Sequence, residues 1–584
     1  MKKNLQKLCS VLLAGTMVAA SLVGCNKQTD SNNTTTTAGN STQQTTTASQ
    51  KDDSTTAATT TENAPAVAGI EGFTPFEKTV TLTIPVYQRA TPNGAPDAGD
   101  NYWTQWIKDN FGAKYNIDVQ FVTIARGQEN EFYALKAAAQ QLPTVCFEYD
   151  YPDVALYNAE GYFQPYDVEW FKNIAPTYWQ QMVDNGLDSY TKLGGEDVLL
   201  IGNRPYGKST YTFVTFYRKD WVKAAGYDTY PTDPEEELKM LAKIKELGLG
   251  GEHILGGSKI EGNGADQNHA WRSYPLDEEL WATTGDYVVP ALSTEAQKLM
   301  LKNVNTKYNL GYIDPEYFTR QSSDNDTDFI NGKTISYSCY AATTNTILDQ
   351  FYAANPDAEL DIMYNPGPET YDCGASTAFR AGGAFGQYIG FSSQATPDEM
   401  KAFAMYLEWM IQPENLFTLQ WGFEGQNFDY VDGKPVARAT DAQDPAVLQS
   451  HNNNVDMWCL VTAIRVLGNI EDDIKAVCPT GYPDSDAFYD SMLKNYYGQV
   501  ACYDAGLVSV DCMFTTAVPA VDEYKDSLFA KYAELRDKIV MGSEADFEAN
   551  YAAASKEYLE AGYQEIIDDR LEAFKAGNSS RLPK

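Results

Sequence analysis

In several places this 584-residue chain sets an aromatic ring close to a charged or amide side chain. Tyr87 is followed by Arg89, Tyr102 by Trp103, Glu148 by Tyr149 and Asp150, Trp271 by Arg272, and Trp421 by Glu424 and Asn427, while Trp281, Tyr340 and Arg380 stand apart. Flat rings offer apolar faces, and carboxylates, amides and arginines offer paired hydrogen bonds. Together these residue types suit a solute with an apolar ring face and a hydroxyl rim, which is the chemistry of a sugar. Tyr87, Arg89, Tyr102, Glu148, Tyr149, Asp150, Trp271, Arg272, Trp281, Tyr340, Arg380, Trp421, Glu424 and Asn427 therefore form the candidate ligand set. The Trp271–Arg272 pair gains weight from the Gly- and Asn-rich loop EGNGADQNHA before it.

Other chemistries find less support. No G-x-S-x-G elbow, P-loop or H-E-x-x-H is present. The 80 acidic residues make chance carboxylate pairs certain, but no local motif selects two that would flank a glycosidic bond. The three histidines are far apart and the cysteines match no CxxC metal pattern, so neither a metal nor a cofactor is expected. Beyond Cys25, the seven cysteines from Cys146 to Cys512 read mostly as buried thiols. Cys459–Cys478 or Cys502–Cys512 are the best bridges if the compartment is oxidising.

The elements that position these residues alternate strand and helix. Thr79–Val86 reads as a strand, Tyr102–Phe111 as a helix, Ile117–Ile124 as a strand, Glu129–Gln140 as a helix and VCFEYD as a strand ending at Asp150. Such alternation predicts an α/β fold, a parallel sheet covered by helices with ligand groups at the carboxyl ends of its strands. Tyr87 to Arg89 and Glu148 to Asp150 occupy two of those ends. Further on, Thr232 is the expected cap of a helix carrying Leu238, Leu241, Ile244 and Leu247 and stopped by Gly248. Thr396, Pro397 and Glu399 spell a capping box before Met400, Phe403, Leu407 and Met410.

The N-terminus is built differently. Lys2, Lys3 and Lys7 precede a small, apolar stretch that ends in Leu22-Val23-Gly24-Cys25, the pattern of an export signal. The last four residues resemble the bacterial lipobox, which implies cleavage before Cys25 and a lipid on its sulfur. Residues 26–69 contain no aromatic residue and no Leu, Ile or Met. They read as a disordered tether with a typical end-to-end distance of about 35 to 40 Å. Removing residues 1–24, which carry three lysines and no acid, takes the net charge from -36 to -39. That surface would repel phosphate backbones and disfavours nucleic acid as a partner.

The order of segments resembles the extracellular solute-binding proteins of ABC importers, in particular their large Gram-positive lipoprotein branch. The resemblance rests on FYRKDWVKAAGYDTYPTDPEEELKMLAKIKE (Phe216–Glu246), on NLGYIDPEYF, on DFINGKTISYS, and on the stretch from QYIGFSS to GFEGQNFDYVDGKPV, and it spans nearly the whole mature chain. It implies a two-lobe, periplasmic-binding-protein-like (type II) α/β fold with a hinge between the lobes. One lobe is expected from 76–217 plus 332–386, and the other from 218–331 plus 387–584 with a helical C-terminal tail. The crossings would fall near Tyr217–Asp220 and Gln387–Ser392.

The implied function is a monomeric, non-enzymatic receptor anchored at the outer face of the cell membrane. It would carry a carbohydrate, in particular an oligosaccharide, to an ABC permease. A glycan-binding or sensor-input module without transport is the first alternative, and a surface glycoside hydrolase the second. Some relatives bind calcium after the Pro-Thr-capped helix, but here KELGLGGEHILGG offers only Glu246 and Glu252, so no such site is expected. The DNDTD run at Asp324–Asp328 reads as a solvated loop or helix cap.

Overall fold

A computed structural model describes residues 67–581 except 68, 71, 89–96, 206–208, 210–211, 258–273, 276, 285–288, 365–376, 381–384, 432, 439–441, 449–455, 466 and 510–511. Residues 63–584 form one compact unit, and within it the chain builds a two-lobed α/β fold. The strands that matter here are β1 (Val80–Gln88), β2 (Ile117–Ala125), β3 (Val145–Glu148), β4 (Leu199–Asn203), β5 (Phe213–Arg218), β6 (Ser336–Tyr340), β7 (Leu360–Ile362) and β8 (Phe385–Phe391). The helices are α1 (Tyr102–Ile107), α2 (Glu129–Ala138), α3 (Pro234–Glu246), α4 (Pro397–Ile411), α5 (Pro413–Trp421), α6 (Ile470–Val477) and α7 (Ser485–Asp504).

The first lobe follows the expected rhythm. β1 pairs in parallel with β2 from Val80↔Ile117 to Gln88↔Ala125. Thr144 N donates to the Thr83 carbonyl at 3.1 Å and links β1 to the start of β3. β3 and β4 both pair antiparallel with β8, so in place of one parallel sheet the lobe has a parallel β1–β2 pair beside an antiparallel three-stranded sheet. β8 is buried at every residue, as a strand covered on both faces must be. α4 lays Met400, Phe403, Leu407 and Met410 into the core of this lobe, and its Thr396–Glu399 capping box forms as its sequence predicts.

In the second lobe, β5 lies between β6 and β7, antiparallel to both. α3 begins one residue later than expected: Asp233, not Thr232, is the N-cap, and its carboxylate accepts from Glu235 N at 2.9 Å and Glu236 N at 3.0 Å. Met240, Leu241 and Ile244 are buried, while Leu247 is exposed beside Gly248, whose φ of 69° ends the helix.

The strand pairings differ from the expected partition between lobes. Residues 336–340 pair with β5 and not with the first sheet, and residues 385–391 form the centre of the first sheet. Tyr217 is inside β5, and Gln387 to Phe391 are inside β8. The chain instead leaves the first-lobe core after Asn203, rejoins it at Phe385, leaves it again between Ala463 and Ile470, and returns to it at residues 502–513 before the C-terminal helices. The third passage is pinned to the first: Asn203 N donates to the Val461 carbonyl at 3.0 Å, and Ala463 N donates to the Asn203 carbonyl at 2.7 Å. Segment order alone does not reveal which strands pair, and here the pairing reassigns both regions.

Two smaller expectations are also settled. Among the described residues no disulfide joins any of Cys146, Cys339, Cys459, Cys478, Cys502 and Cys512. Cys459 lies in the first-lobe core and Cys478 among the apolar residues around β5 and α7, so the first proposed bridge would have to join different cores. Asp324–Asp328 is helical, within Ser322–Ile330; Asp324 accepts from Gln321 N at 2.8 Å, and Asp328 pairs with Arg320 and Lys333. Among the described residues no helix is long and apolar enough to cross a membrane.

Candidate functional site

The parallel pairing of β1 with β2 and the link from β1 to β3 bring three strand ends together, and with them Tyr87, Arg126, Glu148 and Tyr149. Arg126 lies with its guanidinium carbon 4.8 Å from the Tyr87 ring centroid and 5.6 Å from that of Tyr149, within cation–π range of both. Its Nη1 donates to Glu148 Oε1 at 3.1 Å and also pairs with Glu129 at the start of α2. The Tyr87 hydroxyl donates to Glu148 Oε2 and to the Phe147 carbonyl, each at 3.2 Å. Tyr149 N donates to Glu148 Oε1 at 2.7 Å, and the Tyr149 hydroxyl donates to Asp456 Oδ1 at 2.7 Å.

The charge balance of this group is uneven, because one guanidinium faces two carboxylates. Glu148 is 1% exposed, and burial pushes its carboxyl up to about 8, against the pull of Arg126 in the other direction. Burial also works against the charge on Arg126, but Glu148 and Glu129 outweigh it and hold the guanidinium above its ordinary range. The result is a largely buried, hydrogen-bonded cluster whose Glu148 carboxyl is pushed up to about 8.

The remaining sequence candidates fall in different places. Tyr102 meets Trp103 and Phe423 edge-on, and Trp103 stacks on Phe423 with centroids 5.6 Å apart, so α1 and the loop after α5 do come together. Asn427 is buried in that loop as a scaffold: its Oδ1 accepts from Phe423 N at 3.0 Å, and its Nδ2 donates to Gln443 Oε1 and the Val447 carbonyl. Glu424 is exposed beside it, and Asp150 precedes the helix that starts at Tyr151. Trp281 is buried in the Glu278–Thr284 helix, which packs on the C-terminal helix Gln564–Lys575. Trp421 is 2% exposed, with Phe417, Phe428 and the guanidinium of Arg465 around it. Arg89, Trp271 and Arg272 lie outside the described residues; Arg380 lies in a described strand, with its side chain outside the description.

Tyr340 is open to solvent. It stands opposite Phe213 in the β5–β6 register, and the two rings meet edge-on at 5.2 Å while remaining 55% and 41% exposed. Phe213 opens β5 directly after the first passage between lobes. On α7, Asn495 Nδ2 donates to the Met363 carbonyl at 3.0 Å, and Gln499 Oε1 accepts from Ser209 Oγ at 2.5 Å. Both inter-lobe strand exits are thereby tied to one helix.

Sequence reasoning passed over Arg126, Phe213 and Arg465. The strand-end rule that selected Tyr87 and Tyr149 applies equally to Arg126, the residue after β2. Phe213 and Arg465 carry no comparable local signal, since the pairing of Phe213 with Tyr340 and the contact of Arg465 with Trp421 exist only in the fold.

Comparison with known proteins agrees with this architecture. An HMO-binding, ABC-transporter-associated solute-binding protein from Bifidobacterium longum infantis superposes with a TM-score of 0.55 at 14% identity, over 86% of this chain and 99% of that one. The S. pneumoniae substrate-binding protein FusA in complex with kestose gives 0.54 at 13% identity, over 85% and 99%. The alginate-binding protein AlgQ2 without calcium ion gives 0.53 at 15% identity, over 86% and 99%. At these identities the likeness is one of fold. No match was found among curated protein sequences. The family of bacterial extracellular solute-binding proteins matches residues 106–425, more than half of the chain, and the protein belongs to that family.

Proposed function

We propose that the protein is a lipid-anchored receptor that captures a carbohydrate, in particular an oligosaccharide, between its lobes and delivers it to an ABC permease. The observation that carries the ligand class is the group at the strand ends, where the Tyr87 and Tyr149 rings, Arg126 and Glu148 combine apolar faces with charge-assisted hydrogen bonding. The exposed Phe213–Tyr340 pair adds a second aromatic surface on the other lobe. The three similar structures, named for HMO, kestose and alginate, support the same class. A chain that passes repeatedly between two lobes makes hinge closure the natural binding motion. The lipobox-like Leu22–Cys25 and the Thr/Ser-rich stretch behind it support anchoring at the outer face of a membrane, with Cys25 as the lipidated residue.

Isothermal titration calorimetry of the full mature chain against a glycan panel tests the ligand class. Binding of at least one oligosaccharide is expected. Tight binding of a peptide or other solute with no response to any glycan refutes the carbohydrate assignment. Mass spectrometry of the native protein showing an unmodified Cys25 thiol refutes the anchor.

A further inference from the structure

Arg465 lies in the third passage between lobes, two residues after Ala463 is pinned to Asn203 in the first sheet and five before α6 begins in the second lobe. Its guanidinium carbon is 4.9 Å from the Trp421 ring centroid. Among the described residues no carboxylate and no hydrogen-bond acceptor meets it. By contrast, Arg126 pairs with Glu129 and Glu148, Arg218 with Asp220, and Arg438 with Asp429. The indole N–H of Trp421 is also buried without an acceptor.

These two side chains offer donors only, since neither a guanidinium nor an indole can accept a hydrogen bond. Burial brings the guanidinium down to about 10, which still leaves it charged at neutral pH. The Trp421 ring face meets the guanidinium's charge but supplies no hydrogen-bond acceptor for its fork. The residue is half-buried and lies in a segment that joins the two lobes. An arginine differs from a lysine there in offering a planar fork that matches the two oxygens of a carboxylate.

We propose that Arg465 anchors an anionic group of the solute, and that the solute is a carboxylated saccharide. The proposal rests on the carbohydrate reading above and narrows it. A surface of net charge -39 after export would slow the approach of such a ligand, but one unpaired guanidinium governs the field within a few ångströms of itself.

The test compares charged and neutral partners on the full mature chain and on R465M and R465K. Met keeps the apolar stem over Trp421, and Lys keeps the charge without the fork. The probes are trigalacturonate against its methyl ester, 3′-sialyllactose against lactose, and inorganic sulfate alone. The wild-type protein is expected to bind at least one carboxylated saccharide tenfold or more tightly than its neutral partner. R465M should abolish that preference and R465K should keep part of it. In the absence of ligand, the melting temperature of R465M should equal or exceed that of wild type.

Equal affinity for charged and neutral partners, or a preference that survives in R465M, overturns the anchor and leaves the carbohydrate reading standing. Binding of sulfate with no saccharide bound overturns the saccharide assignment at this residue. No binding of any glycan overturns both readings. A fall of several degrees in the unliganded R465M would show that Arg465 is structural and would also overturn the proposal.

Discussion

Replacing Glu148 by Gln isolates the charge imbalance at the strand ends. A carboxyl whose native value is about 8 against an ordinary 4.5 keeps its proton in the folded state over a pH range where the unfolded chain has lost it. Between those values the native state binds more protons, so the contribution of Glu148 to stability falls as pH rises from about 4.5 to about 8 and then levels off. A shift of this size corresponds to about 5 kcal/mol at most, and partial screening of Arg126 by solvent brings the working figure to about 3 to 5 kcal/mol. Unfolding entropy near 2.1 cal/mol/K per residue over a body of roughly 500 residues makes 1 kcal/mol worth about 1 °C. Gln keeps the shape and acceptor oxygen but does not titrate. The melting temperature of E148Q relative to wild type should therefore rise by about 3 to 5 °C between pH 5 and pH 8.5, read by differential scanning calorimetry in one ionic-strength-matched buffer series. A gap that stays constant with pH, or that narrows as pH rises, refutes the assignment of a held proton to Glu148.

Other consequences are accessible to simpler measurements. Lys307 and Glu237 form an ion pair at 2.8 Å with both side chains fully buried, and the Tyr230 hydroxyl donates to the same carboxylate. Lys307→Met should cost about 3 to 5 kcal/mol in urea denaturation by stranding the acid, and a loss under 1 kcal/mol would show that the pair is dispensable. Asp233→Ala should destabilise by about 1 kcal/mol while Thr232→Ala does so by much less; equal effects would contradict the observed cap. If the Phe213–Tyr340 surface stacks on the solute, Tyr340→Ala should weaken binding by about 1 to 3 kcal/mol in calorimetry without moving the melting temperature, whereas unchanged affinity would remove that surface from the site.

Features set by neighbours along the chain were legible before folding was considered. The period of β1, the Thr396 capping box and the stop at Gly248 are each decided within a few residues, and each stands where its pattern places it. Tyr87, Glu148 and Tyr149 were legible for the same reason, since a strand end is a local event. The division into lobes was not, because it depends on β8 choosing β3 and β4, strands far earlier in the chain. FGQYIGF has the composition of a central strand and of an inter-lobe crossing alike, and only its pairing separates the two. The one-residue error at the start of α3 has a smaller cause: Thr232 and Asp233 are both good caps, and the following Pro234, favoured at the first helical position, fits Asp233.

β8 has a further meaning for how the protein reaches its folded form. Its two neighbours, β3 and β4, cannot be joined until it arrives, roughly 180 residues after β4 in the order of synthesis, when most of the second lobe is already present. Closing so long a loop is slow, and until it closes the inner edges of both strands stand open as templates for pairing with another chain. A fragment ending before Phe385 would therefore be not a smaller receptor but an aggregation-prone half-sheet. The chain must be made at least as far as Phe391 before the three-stranded sheet of its first lobe can close, which disfavours folding that lobe segment by segment as it emerges.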